Sequence, residues 1–165
     1  MIAVATGLDV PLELRARIGD LYRAYECVLD DGELESWPAF FIETCTYKVI
    51  PRGNQERDLP VAVIYCESRD MLIDRVVALR ETALYAPRIL RRMTDVPYLR
   101  AIDDDGLHLT ANFALFQTMQ DQPTEMFLSG RYQDRVVDDR GALRFAERLC
   151  IYDSTIIPTS LVYPV

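Results

Sequence analysis

Apolar residues recur early in the chain at Leu14, Ile18, Leu21, Tyr22, Tyr25, Val28 and Leu29, a helical stripe at i, i+3, i+4 and i+7 spacing. Pro11 suits the first turn of that helix, Asp9 can accept from its free N–H groups, and Asp30-Asp31-Gly32 ends it. Leu34, Trp37, Phe40 and Phe41 share one face of a short second helix over 33–41, with Pro38 tolerable only in the first turn. Residues 44–50 alternate and carry β-branched and aromatic side chains, which predicts a strand. The polar, breaker-rich run 51–58 reads as an exposed loop, and 61–66 as a second short strand. Ser68 caps a third helix with Asp70 in its first turn; it buries Leu72, Ile73, Val76, Leu79 and Ala83 and stops before Pro87.

From Ile89 onward the period switches to two. Residues 89–100 predict one or two strands interrupted at Pro97, and Asp103-Asp104-Asp105-Gly106 a hairpin turn with Gly106 at positive φ. Strands follow over 107–118, 126–137 and 143–153, joined by turns at 121–124 and 138–141. Helices first and an antiparallel meander after them predict a single α+β domain over 1–165. Three helices packed in a curved antiparallel sheet make the hollow cone of the nuclear transport factor 2-like superfamily. That architecture hosts isomerases, dehydratases, transport factors and structural subunits, so it does not assign an activity.

Charge narrows the partners. The 18 basic and 26 acidic residues give a net charge of −8, which repels phosphate backbones and anionic lipid, so neither nucleic acid nor a membrane surface is expected. No stretch reaches the roughly 20 apolar residues of a membrane helix, and the start has no basic n-region. Cys27, Cys45, Cys66 and Cys150 are far apart, with no C-x-x-C pair, and read as free thiols in a reducing cytoplasm.

Candidate chemistry is sparse. His108 is the single histidine, in a strand phase shared with Thr110 and Asn112, and reads as surface or interface. The Asp103–Gly106 run lacks the later oxygen ligands of a calcium loop. Arg88, Arg91 and Arg92 form a local basic cluster, a solvated sheet edge or an arginine fork onto a partner's carboxylates. Arg131, Arg135, Arg144 and Arg148 can pair across strands with Asp134, Glu147 or Asp153. Trp37, Phe40, Phe41 and Tyr47 read as core aromatics that cement helix to sheet. If the hollow did proton transfer, Tyr22, Tyr47, Tyr65 and Asp153 would be the nominal groups, although no spacing selects them.

Two stretches, residues 37–47 (Trp-Pro-Ala-Phe-Phe-Ile-Glu-Thr-Cys-Thr-Tyr) and 148–154 (Arg-Leu-Cys-Ile-Tyr-Asp-Ser), resemble the small subunit of bacterial aromatic-ring-hydroxylating dioxygenases. The likeness extends through 21–25, 67–76, 79–82, 129–132 and the tail from Arg148 to Val165. It is nearest to small subunits acting on aromatic acids, of the salicylate 5-hydroxylase type, with anthranilate and terephthalate dioxygenases nearby. Pro51-Arg52, Asp74-Arg75-Val76, Ile157-Pro158 and Tyr163-Pro164-Val165 point to the salicylate type. The resemblance implies a cytoplasmic three-plus-three hexamer whose small subunits form a trimeric base. A large subunit would hold a Rieske iron–sulfur cluster, a mononuclear iron and the substrate, fed by a ferredoxin and a reductase. Those centres need several His or Cys ligands, which this chain lacks, so no catalytic, cofactor-binding or metal residue is expected in it. The family often has a histidine near Arg92 or Met93 and this chain has none there. The alternative is a free-standing cone-fold isomerase, dehydratase or binding protein that uses a tyrosine or carboxylate in the hollow.

Overall fold

The computed structural model describes residues 10–81, 85–157 and 160–165. The first helix, α1 (Leu12–Asp30), buries Ile18, Leu21, Tyr22, Tyr25 and Leu29, the predicted stripe. Pro11 stands just ahead of it as the N-cap, and the expected cap Asp9 lies outside the described residues. The second helical segment is a 3-10 helix, Leu34–Phe40, with Pro38 inside it rather than in an α-helical first turn. Proline removes a donor from the ladder there, and tight short turns tolerate that loss better than an α-helix does.

The next strand, β1 (Phe41–Pro51), starts three residues earlier than its alternation suggests. The expected loop after it contains a short helix, α2 (Arg52–Glu56), and the second strand shrinks to β2 (Ile64–Cys66). Helix α3 (Arg69–Glu81) is capped as predicted, the Met71 N–H donating to Ser68 Oγ at 3.3 Å. It packs through Leu72, Val76 and Leu79; Ile73, one residue off that stripe, is 45% exposed, contrary to expectation, and Ala83 lies outside the described residues. The remaining strands are β3 (Arg88–Thr94), β4 (Tyr98–Asp103), β5 (Gly106–Met119), β6 (Glu125–Asp139) and β7 (Ala142–Tyr152).

Among the described residues these strands make one sheet ordered β2-β1-β7-β6-β5-β3, with β4 pairing the first half of β5 and β3 the second. The pairs are antiparallel except β1–β7, which run parallel, Tyr47 beside Arg148. A pure meander was the expectation; β1 and β7 are joined through the whole intervening chain, and that long connection permits the parallel sense. Bulges interrupt the β1–β7, β4–β5, β5–β6 and β6–β7 registers and bend the sheet about the helices. The result is the mixed α+β cone of the nuclear transport factor 2-like class.

Helices and sheet meet on an aromatic core in which Trp37, Phe41, Tyr47 and Phe145 have no measurable exposure. Trp37 lies edge-on to Phe41 and to Tyr47, with centroids 5.9 and 5.1 Å apart. Burying each such ring contributes about 1.5–3 kcal/mol. Gly106 sits at φ +132 in the predicted hairpin turn, where a Cβ would stand 2.5 Å from the Val136 carbonyl oxygen.

Candidate functional site

A cone of this kind offers one obvious place for chemistry, its hollow. Here α1 supplies Tyr22 and Tyr25, three residues apart and so on one helix face, and the strands supply Tyr47, Tyr132, Asp134, Phe145, Arg148 and Cys150 from inward positions. At the centre lies the Arg148 guanidinium. Its carbon is 3.9 Å from the ring centre of Tyr132, 4.1 Å from Tyr25, 4.4 Å from Phe145 and 5.0 Å from Tyr22. One nitrogen stands 3.6 Å from Asp134 Oδ2, and the Tyr22 hydroxyl donates to the same oxygen. The Arg148 and Asp134 side chains are 1% and 0% exposed. The centre of the cone thus holds an arginine enclosed by four rings and one carboxylate.

Burial sets the protonation states of this cluster. Burial pushes the Asp134 carboxyl up to about 6 against the opposing pull of Arg148. Burial also raises the hydroxyls of Tyr22, Tyr25, Tyr47 and Tyr132 above their usual range, so all four are neutral at neutral pH. For Arg148 burial pulls downward, but Asp134 and the tyrosines outweigh it and the guanidinium stays charged. Arg148 Nε and Nη1, Tyr132 Oη and Asp134 Oδ1 take no hydrogen-bond partner from the protein.

The tail closes what remains of the hollow. Val165 is fully buried; its N–H donates to Tyr47 Oη at 2.8 Å, and its carbonyl oxygen accepts from Tyr25 at 2.8 Å and Tyr47 at 3.3 Å. Trp37 Nε1 donates in turn to Tyr25 Oη at 3.2 Å. Arg92 donates to the Pro164 carbonyl and pairs with Asp30 at 2.6 Å, and Arg75 donates to the Val162 carbonyl at 2.8 Å. The solvated-edge reading of Arg92 is therefore wrong. Its phase in β3 points inward, where α1 supplies the carboxylate. Arg88 reaches Gln117 and the Ser160 carbonyl, while Arg91 is exposed and donates to the Asp30 carbonyl at 3.3 Å.

The four nominal proton-transfer groups do not converge. Tyr22 and Tyr47 line the hollow; Tyr65 is exposed and donates to Glu67, and Asp153 pairs with Arg52 at 3.2 Å outside it. His108 stands 2.9 Å from Asp103, half exposed on the outer sheet face. Arg148 with Asp134 is one of the cross-strand pairs that the sequence allows, here fully buried; Tyr25, expected on the buried stripe of α1, and Tyr132 are not among the candidate site residues of the sequence. The signal was present. Asp134 shares its inward phase with Tyr132, and Arg148 shares its own with Cys150 and Tyr152, but charge was read as exposure.

Among the described residues no group of three or more His, Cys, Asp or Glu side chains could hold a metal ion. The donors present here do not fit a Rieske cluster or a mononuclear iron site. The four cysteines are free, and burial raises Cys45 to about 11 and Cys150 to about 12. No helix among the described residues is long and apolar enough to cross a membrane.

The family model described as "Ring hydroxylating beta subunit" matches residues 27–159. The chain belongs to that family. This β subunit is 34% identical to the anthranilate 1,2-dioxygenase small subunit of Burkholderia cepacia, over 83% of this chain and 85% of that one. It is 33% identical to the terminal oxygenase component subunit beta 1 of terephthalate 1,2-dioxygenase from Comamonas sp., over 86% and 92% of the two chains. Its fold superposes with a TM-score of 0.85 on a crystal structure assigned as the β subunit of an aromatic-ring-hydroxylating dioxygenase from Novosphingobium aromaticivorans. The two are 37% identical, and the match covers 93% of this chain and 97% of that chain.

Proposed function

We propose that this β subunit is a non-catalytic structural component of a Rieske-type oxygenase that hydroxylates an aromatic carboxylic acid, with salicylate-like compounds the first choice. A large subunit supplies the Rieske cluster, the mononuclear iron and the substrate pocket, in a cytoplasmic assembly of three large and three small subunits. A ferredoxin and a reductase deliver the electrons. The observation that carries this reading is the occupied hollow: Arg148, boxed by four rings, and the Val165 tail stand where a cone-fold enzyme would hold substrate. The aromatic-acid choice is supported by relatives that bear the names of anthranilate and terephthalate dioxygenases.

The test is reconstitution. Co-expressed with its cognate large subunit and supplied with electrons, the assembly should hydroxylate salicylate or a close analogue, while this chain alone turns nothing over. Tyr22→Phe and Tyr47→Phe should lower stability and leave kcat of the assembled enzyme unchanged. A variant that keeps its fold and its complex but loses the chemical step would place a catalytic group in this subunit.

A further inference from the structure

Between α1 and the corner that joins β3 to β4 lies a cavity of about 340 Å³, within the size range of small-molecule pockets. Ile18 and Gly19 wall it on the helix side and Pro97, Tyr98 and Leu99 on the sheet side, and Arg15 is the charged residue of its lining. Ile18 and Leu99 reach it from the hydrophobic core.

Gly19 is the odd member of this lining. It lies well inside α1 with a helical backbone, outside the set of positive-φ glycines. Apart from proline, glycine is the least favourable residue in a helix interior. Close packing often demands it there, yet a Cβ at position 19 would meet nothing within 4 Å. Among the described residues, nothing requires this position to be bare. The missing side chain instead deepens the cavity, one helical turn from Arg15 and beside Ile18.

Arg15 is exposed and, among the described residues, joins no ion pair. Its neighbours three and four places along the helix are Pro11, Leu12, Ile18 and Gly19, none of which can neutralise it. Asp95, next to the sheet wall, is engaged elsewhere: it accepts from the Asn112 N–H at 2.8 Å and from Asn112 Nδ2 at 2.6 Å. In a chain with 26 acidic residues, a guanidinium left without a carboxylate beside an apolar cavity defines what fits there. The occupant has an apolar body and one carboxylate. Pro97 and the Tyr98 ring, which the Arg100 guanidinium holds at 4.8 Å from its centre, offer flat surfaces that suit a planar ring.

We infer that this groove is an accessory binding site for a small aromatic carboxylate of benzoate size, with the ring between α1 and Pro97–Tyr98 and the carboxylate on Arg15. The site is separate from the Arg148 hollow and does no chemistry. It goes beyond the structural role by giving this subunit a ligand of its own.

Isothermal calorimetry of the full-length chain reads this directly. Wild type should bind one benzoate per chain. Benzamide, the same ring without the charge, should bind about tenfold more weakly, and acetate, the charge without the ring, should give no saturable heat. Arg15→Gln should weaken benzoate about tenfold and leave benzamide within about twofold of wild type. Gly19→Leu should abolish binding of both. Gly19→Ala should weaken binding while raising Tm, because alanine is the better helix former and has room. No saturable benzoate heat with wild type overturns the inference. So does binding that survives Gly19→Leu in a folded chain, or that is lost on Arg131→Gln instead, because the carboxylate would then sit in the arginine-lined cavity on the outer sheet face. A folded Gly19→Leu chain that no longer co-purifies with the large subunit assigns the groove to that partner and equally overturns it. Failure of the structural-subunit reading looks different: no large subunit co-purifies with wild type, whatever small molecule it binds.

Discussion

Replacing Arg148 with methionine removes the cation at the centre of the cone. Asp134 then keeps the Tyr22 hydroxyl as its remaining side-chain donor, and four aromatic faces lose their guanidinium. Breaking one side of a buried pair costs about 3–5 kcal/mol, because the other charge stays behind without compensation. At about 2–4 °C per kcal/mol for a chain of this size, Tm should fall by roughly 6–20 °C. The loss should also depend on pH. Asp134 sits at about 6 in the fold, above its ordinary range. A raised folded value means that its contribution is full below about pH 4 and is lost as pH rises through about 6. Without Arg148 the charged form is penalised further, so the variant's shortfall against wild type should be larger near pH 8 than near pH 5. Urea melts at fixed protein concentration, followed by the fluorescence of the single tryptophan, Trp37, would read this from inside the core. Arg148→Met with Asp134→Leu, which removes both charges, should recover most of the loss. A single-variant loss under about 1 kcal/mol, or one equal at both pH values, would refute the buried-pair argument.

Gly130→Ala would place a Cβ 2.1 Å from the Ile151 carbonyl oxygen and 2.8 Å from Tyr152 Cα, so the β6–β7 ladder must part and soluble yield should collapse. Tyr47→Phe removes both hydroxyl contacts to Val165 and should cost about 1–3 kcal/mol in the same melts, while fluorescence reports a looser core around Trp37. In native protein a thiol reagent should modify the half-buried Cys27 first; Cys45, Cys66 and Cys150 are buried with raised pKa values and should react only on unfolding.

Period and punctuation carried most of the fold. The α1 stripe, the Ser68 cap, the break at Pro97 and the Asp103–Gly106 turn are local signals, and each lies where the pattern puts it. The parallel β1–β7 pair was not legible, because alternation fixes which face a residue takes and not which strand lies beside it. The hollow's contents were half legible. Phase alone turned Asp134, Arg148 and Arg92 inward, but a charged residue in an inward phase reads as surface until its compensating partner is known, and Asp30, Pro164 and the ring of tyrosines come from distant parts of the chain. The four nominal acid–base groups split between inside and outside because they were picked by residue type rather than by phase.

The pairing of β1 with β7 also sets an order of events during synthesis. Phe41 to Pro51 leave the ribosome early, yet their parallel neighbours are Phe145 to Tyr152, and the hydroxyls of Tyr25 and Tyr47 wait for Val165. Contacts so distant in sequence form late and slowly. A nascent chain thus exposes Phe41, Tyr47 and Val49, which have no measurable exposure once folded, until β7 and Val165 have emerged. Growth temperature and chaperone supply should therefore govern how much of this protein is recovered more strongly than the equilibrium stability of the finished molecule does.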